Sequence, residues 1–213
     1  SKPTIRLNSR VEGVEGNVNT VFVGETVKTV MGVDNFDKVA SIQYALRYNK
    51  DVITLVNGEG KAVESYTGKN FNGMNITEMI TVFGVSNEYG IEIPESALTK
   101  MILPQQSDYF PFVNAESGLL GMFCAHITAG NESDFSGQND YFVFTFNVKE
   151  AGDLNIEIAT KSDNAPYEES VSQGAIVNNT TVEECEYGMD NEPVTALEKP
   201  VTPSNLTLNK DNY

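Results

Sequence analysis

Apolar and polar residues alternate with a period of two in several segments of the chain. In Ser41–Asn49, four apolar residues fall on one face and mostly polar or small residues on the other. Thr26–Asp34, Tyr141–Lys149 and Asp153–Lys161 follow the same alternation. Because successive side chains of a strand point to opposite faces, this pattern predicts half-buried strands of antiparallel sheets.

Turn-forming residues separate these segments. They are Asn57–Gly60, Asn72-Gly73, Ala129–Asn131, Ser136-Gly137 and Ala151–Asp153. Glycine and asparagine there favour reversals of the chain. About nine strands joined by such turns predict an all-β sandwich of two antiparallel sheets.

The segment Pro94–Leu103 has a helical period instead. Its apolar residues Ala97, Leu98 and Met101 recur at helical spacing, Pro94 stands at its start, and a second proline follows its end. Proline at a helix start and just beyond its end is typical. The sequence therefore predicts one short inserted helix.

The composition changes near residue 178. The stretch Thr180–Tyr213 is acidic and then contains Pro, Thr and Asn, with few apolar residues. Such a composition favours an extended chain over a packed one. The sequence predicts a folded domain at 1–178 and a tail or linker at 179–213.

The charge balance narrows the class of partner. The 213 residues include 14 Lys and Arg against 30 Asp and Glu, a net charge of −16. This field repels phosphate backbones and anionic lipid, so nucleic-acid and membrane-surface binding are disfavoured. No apolar run approaches the roughly 18 residues of a membrane-spanning helix.

Catalytic and metal-binding chemistry is poorly represented. The chain has one histidine, His126, and no tryptophan. A serine triad could use only His126, and a zinc site would have no second histidine. The adjacent acidic residues Glu168-Glu169 point apart in an extended chain, and the oxygen-rich loops lack the ligand order of an EF-hand. We predict no enzyme activity, no cofactor and no metal site.

Two features point to packing and to an exposed surface. Cys124 lies in an apolar strand and Cys185 in the acidic region, which predicts a buried free thiol and a tail thiol. In Tyr109–Phe112, three of four residues are aromatic, so both faces of a strand there carry a ring. An exposed aromatic patch usually marks an interaction site.

Four motifs in order resemble the cohesin modules of cellulosomal scaffoldins. They are Val23–Val27, Val39–Asn49, Phe146–Lys149 and Gly174–Val177, and the resemblance covers about Pro3–Asn178. Asn49 stands where the family usually has Asp, and an insertion of about 61–107 resembles divergent, type III-like cohesins.

The resemblance implies a nine-stranded jelly-roll sandwich that binds a dockerin, a small helical module of an enzyme or another scaffoldin. It implies that calcium belongs to the dockerin, that the chain is a monomer in isolation, and that it is secreted and joins a bacterial cell-surface complex for polysaccharide degradation. The docking face would combine Asp153–Lys161, Val39–Asn49, Gly118–Ile127 and Tyr109–Asn114.

On those strands the resemblance turns Gly121, Phe123 and Ala125 outward and Cys124 inward. Periodicity alone leaves this register open, because both faces of the strand are apolar. Phe123, Phe112 and Arg47 are expected to contribute most of the binding energy. The full set of predicted dockerin-binding residues is Ser41, Gln43, Ala45, Arg47, Phe110, Phe112, Phe123, Ala125, His126, Asn155, Glu157 and Tyr167.

Two other functions remain open at this point. A carbohydrate-binding β-sandwich has a similar size, and tyrosine could replace the tryptophan usual in sugar platforms. A structural or adhesin sandwich without a dockerin partner is the other alternative.

Overall fold

A computed structural model of the chain describes residues 2–85, 87–101, 107–126, 133–167, 169–177 and 181–201. The strands are β1 (Thr4–Val11), β2 (Thr20–Phe22), β3 (Thr26–Asp34), β4 (Phe36–Arg47), β5 (Ile53–Val56), β6 (Ile91–Glu92), β7 (Ser107–Asn114), β8 (Leu119–His126), β9 (Ser133–Phe135), β10 (Asp140–Val148), β11 (Gly152–Asp153), β12 (Glu157–Ile158), β13 (Ser170–Val177), β14 (Thr181–Glu184), β15 (Gly188–Asn191) and β16 (Thr195–Leu197). The helices are α1 (Ile76–Phe83) and α2 (Glu95–Met101), with a 3-10 turn at Lys161–Asp163.

The strands form two large sheets and one small one. The six-stranded sheet has the order β15-β1-β3-β10-β5, with β6 beside β10. The seven-stranded sheet has the order β14-β13-β4-β8-β7, with β9 and β12 beside β4. A three-stranded sheet, β11-β16-β2, completes the fold.

Aromatic residues of β4, of the position directly after it, and of β10 join the two large sheets. The ring centroids of Tyr44 and Phe142 lie 4.5 Å apart, and those of Tyr48 and Phe146 lie 5.3 Å apart. These residues belong to one continuous buried core. The predicted β-sandwich is confirmed. The two sheets pack face to face because the apolar faces of the alternating strands can be buried only against each other.

Some details of the predicted fold need correction. The described part of the chain contains sixteen strands rather than nine, many of only two to four residues. It contains a third sheet, and β15 and β16 pair in parallel with β1 and β2. Short strands at sheet edges carry too little alternation to be recognised from sequence.

The insertion contains two helices rather than the single predicted one. The α2 helix lies within the predicted Pro94–Leu103, whose last two residues are outside the described part. The α1 helix begins at a capping box, in which the Asn75 side chain accepts a hydrogen bond from Glu78 N and Glu78 accepts one from Asn75 N. Its buried Phe83 packs on Tyr109 of β7, with ring centroids 6.2 Å apart, so the insertion rests on the edge of the seven-stranded sheet.

Part of the region predicted as a tail or linker forms strands. Between residues 181 and 197, β14 pairs with β13, β15 with β1, and β16 with β2 and β11. Backbone hydrogen bonds hold these strands, so few apolar side chains are required. Residues 202–213 lie outside the described part of the chain. None of the helices in the described ranges is long and apolar enough to cross a membrane.

Candidate functional site

Three long neighbouring strands carry most of the predicted site. In the antiparallel register of β4, β8 and β7, Gln43 lies opposite Phe123 and Phe123 opposite Phe110. One step along the same face, Ala45 lies opposite Gly121 and Gly121 opposite Phe112. Residues paired in this way share one face of a sheet. The outward side chains of β4, β8 and β7, with β12 beside β4, are called the outer face below.

The register of β8 agrees with the predicted one. Cys124 is fully buried in the core, whereas Phe123 on the opposite face is half-buried. Ala125 shares the outer face, opposite Ser41. The residues of β8 are apolar on both sides, so their pattern does not show which side faces the core. The burial of Cys124 between the sheets shows which side it is.

Cys124 is expected to be chemically inert in the folded protein. Burial raises the pKa of its thiol to about 12, and its sulfur accepts a hydrogen bond from the Tyr141 hydroxyl at 3.1 Å. Since the thiolate is the nucleophile, iodoacetamide at about pH 8 should leave Cys124 unlabelled in the native protein and label it after unfolding. Peptide mass spectrometry checks this, and rapid native labelling of Cys124 would refute it. The half-buried Cys185, whose thiol donates to Val171 O, serves as the internal reference.

Four aromatic rings form a chain of contacts across the outer face. Ring centroids lie 5.9 Å apart for Phe110 and Phe123, 6.1 Å for Phe123 and Tyr167, and 5.7 Å for Tyr167 and Phe112. We call Phe110, Phe112, Phe123 and Tyr167 the aromatic cluster. Tyr167 contacts both Phe112 and Phe123 within the cluster. Its partial burial raises the pKa of its hydroxyl.

The cluster is only partly exposed. Phe112 is 7% exposed and packs with Ala45, Leu119 and Ala159 beneath Tyr167. Phe110 and Phe123 are more accessible. Phe112 is therefore expected to contribute less binding energy than Phe123, because a partner can touch little of the Phe112 ring.

Gly121 is required for this arrangement. A Cβ atom on Gly121 would overlap the Phe112 ring and the Tyr44 carbonyl oxygen. Without one, the Phe112 ring lies across the strand and joins the cluster. An aromatic side chain that covers a glycine of a neighbouring strand is a known device of sheets.

Arg47 at one end of the outer face already has a partner. Its guanidinium forms an ion pair with Glu157, which lies opposite Arg47 in the β4–β12 pairing. Both side chains remain nearly half exposed. Arg47 was expected to contribute much of the binding energy, and this ion pair makes its guanidinium less available to a partner carboxylate.

The other predicted residues lie at the margins. Ser41 and Gln43 are half-buried polar residues of β4. Asn155 is not on a strand, because the predicted strand Asp153–Lys161 is interrupted and Asn155 has a left-handed φ of 49° before β12. It lines a shallow depression together with Arg47. His126 ends β8, and its side chain lies outside what the structure describes.

Several residues of this surface were not found by sequence reasoning. Asp108, Asn114 and Leu119 follow from the strand register, and Ala159 joins the outer face through a loop after β12. A groove beside Phe112 is lined in part by Tyr66, from the insertion. Only the insertion's return to the edge of β7 brings Tyr66 there, and no local sequence pattern signals that return.

Within the described ranges, no group of three or more His, Cys, Asp or Glu side chains is arranged to hold a metal ion. The outer face instead offers aromatic rings, small residues and a polar margin. It can bury apolar surface and form hydrogen bonds, which suits recognition.

Comparisons with solved structures identify the fold. The chain is similar to a type II cohesin domain from the cellulosome of Acetivibrio cellulolyticus, with a TM-score of 0.52, 14% identity, and coverage of 92% of this chain and 95% of the other. It is similar to the second type II cohesin module of the adaptor ScaA scaffoldin from the same organism, with a TM-score of 0.50, 13% identity, and coverage of 99% and 98%. No protein-family model matches the chain, and no curated protein does. The chain has the β-sandwich fold of cohesin modules at very low sequence identity.

Proposed function

We propose that this chain is a divergent cohesin, a non-catalytic module that binds a dockerin through the outer face of its seven-stranded sheet. The aromatic cluster on that face is the observation that carries the proposal. It places two accessible rings, Phe110 and Phe123, on a sheet whose fold is that of cohesin modules.

The composition of the outer face supports an interface. Aromatic rings occupy its middle, and Ser41, Gln43 and the Arg47–Glu157 pair lie around them. Protein interfaces commonly combine an apolar centre with a polar rim that excludes water. The small residues Ala45 and Gly121 leave room for the Phe112 ring, which covers them within the aromatic cluster.

The proposed role extends to the whole assembly. A dockerin on an enzyme or on another scaffoldin would attach to this module outside the cell, as part of a polysaccharide-degrading complex at a bacterial surface. The strong negative charge of the chain, −16, favours solubility and a partner contact with basic groups.

Calcium is expected to act through the dockerin and not through this chain. Addition of EDTA should abolish dockerin binding in calorimetric titration, since a calcium-loaded partner loses its fold with its metal. The melting temperature of the isolated chain should stay unchanged under the same treatment. A large EDTA-induced drop in that temperature would contradict the absence of a metal requirement.

The binding test uses the dockerin modules encoded in the source genome, each loaded with calcium. At least one dockerin should bind in the titration. That binding should be lost when the accessible rings of the aromatic cluster are removed. Absence of binding to every dockerin, combined with depletion of the chain on cellulose or xylan, would instead favour the carbohydrate-binding alternative.

A further inference from the structure

A groove of about 500 Å³ opens at one side of the aromatic cluster. Its inner wall is the end of β7, its second wall is the insertion segment Ser65–Gly68, and its third wall includes Pro166 and Tyr167. Phe112 and Tyr167 belong both to the groove and to the aromatic cluster. The groove is therefore continuous with the proposed docking face.

The insertion wall is held by backbone hydrogen bonds. Tyr66 N donates to Val113 O at 2.8 Å, and Val113 N donates to Tyr66 O at 3.0 Å. Ala115 N donates to the Ser65 hydroxyl oxygen at 2.9 Å. Two antiparallel backbone bonds and one side-chain bond pre-form this wall, which lowers the entropic cost of binding.

Gly68 allows the wall to lie close to β7. A Cβ atom there would be 3.2 Å from the Pro111 carbonyl oxygen and 3.7 Å from Phe110 Cβ. A side chain would push the segment outward. The insertion thus has a defined position beside the strand that carries Phe110 and Phe112.

The floor of the groove is apolar, with Phe112 and Leu119 7% and 3% exposed. The more accessible apolar surface of the groove comes from its walls, through Tyr66, Pro166 and Tyr167. Such a recess has the size of a small-ligand pocket and can bury one large apolar side chain. Central pockets of this kind hold the anchoring residues of protein interfaces.

The charge around the groove defines the occupant further. Glu116 is the one charged side chain among the described residues that line it. Arg47 of the outer face is paired with Glu157. In a chain of net charge −16, an exposed carboxylate beside an apolar recess suits a basic residue on the partner.

We infer that this groove seats one bulky apolar side chain of the partner's helix, next to a lysine or arginine that pairs with Glu116. The inference rests on the proposed function and adds its specificity: the insertion, through Ser65–Gly68, selects among dockerins. A dockerin without this apolar and basic pair would meet the aromatic cluster but leave the groove empty.

Filling the groove is the first test. Thr67 is exposed and lines the groove, so Thr67→Trp should occupy the recess. We expect the Kd for the tightest-binding calcium-loaded dockerin of the source genome to rise by about tenfold or more, since the anchoring side chain is displaced. Thr77→Trp, on the exposed side of α1 and outside the groove, is the matched control and should change the Kd by less than about twofold.

Reversing the charge is the second test. Glu116→Lys should weaken the same dockerin by about three- to tenfold at low salt, and the loss should shrink near 0.5 M salt, roughly where screening shortens to a few ångströms. Glu150→Lys makes the same change in net charge at an exposed position after β10 and should have little effect. Reversal of one basic residue of the dockerin to Glu should restore binding to the Glu116→Lys variant.

The outcomes separate the two proposals. If Phe123→Ala weakens the dockerin while Thr67→Trp and Glu116→Lys match their controls, the groove is not part of the interface and only this inference fails. If no dockerin binds the unmodified chain, the proposed function fails and the inference with it. Thr67-sensitive retention on cellulose or xylan, or Thr67-sensitive dimerisation in sedimentation, would identify a glycan or a second copy as the occupant and overturn the inference.

Discussion

Phe123→Ala should weaken dockerin binding by about 2 kcal/mol or more, which corresponds to a rise in Kd of about 30-fold. Phe123 contacts both Phe110 and Tyr167, so its removal breaks the chain of rings in the middle of the outer face. It is more exposed than Phe112, and a partner can cover its ring. Calorimetric titration against one cognate dockerin measures the change.

Controls for Phe123→Ala come from the opposite sheet and from the same position. Met189→Ala removes a side chain that is 47% exposed on β15 and should change the binding free energy by less than about 0.5 kcal/mol. Phe123→Tyr keeps the ring and should retain most of the affinity. Unaltered binding by a folded Phe123→Ala variant, with a loss on Met189→Ala, would place the interface on the other sheet.

Arg47→Ala should have a smaller effect on dockerin binding than Phe123→Ala, although the sequence places both residues among the expected main contributors. The Arg47 guanidinium must leave Glu157 before it can meet a carboxylate of the partner. Glu157 would then repel that carboxylate. A partner contact through the paired Arg47 consequently contributes less binding free energy than a contact through a free cation.

Arg6→Met should lower the free energy of unfolding by about 3 kcal/mol. The Arg6 side chain is 9% exposed, and its Nε lies 2.8 Å from Asp34 Oδ2 and its Nη2 3.0 Å from Asp140 Oδ1. Without the cation, the Asp34 carboxylate, 12% exposed, loses its counter-charge inside the protein. Gly32 makes room for the guanidinium, since a Cβ atom there would overlap it.

Urea unfolding followed by far-ultraviolet circular dichroism measures this change, because the chain has no tryptophan. Arg10→Met, on the same strand, is the matched control and should cost less than about 0.5 kcal/mol. Adding Asp34→Asn and Asp140→Asn to Arg6→Met should recover part of the loss, since the uncompensated charges are removed. A triple variant no more stable than Arg6→Met would show that packing, not charge, is responsible.

The local pattern of the sequence was enough to find one central strand of each large sheet. Alternation in Ser41–Asn49 and in Tyr141–Lys149 marks one apolar face in each segment, and β4 and β10 overlap those segments. The order of the strands and the likeness to cohesins came from the combined motifs and not from alternation. The fold comparison agrees with that resemblance.

Some errors came from local signals that were available but not used. Asn75 and Glu78 have the spacing of a capping box, and Met79 and Phe83 follow at helical spacing, yet α1 was not predicted. The strands β14 to β16 differ, since segments of three or four residues are too short to show apolar alternation. They form because neighbouring strand edges offer unpaired backbone groups.

The sequence by itself determined the β-sandwich, the burial of alternating residues and the acidic character of the surface, because these depend on residue type and short-range spacing. Only the tertiary structure decided that Arg47 is paired with Glu157, 110 residues away, and that the insertion closes a groove beside Phe112. It also decided which side of β8 is buried, since both sides are apolar. Contacts between distant segments depend on how the sheets and the insertion pack, and no local pattern encodes that packing.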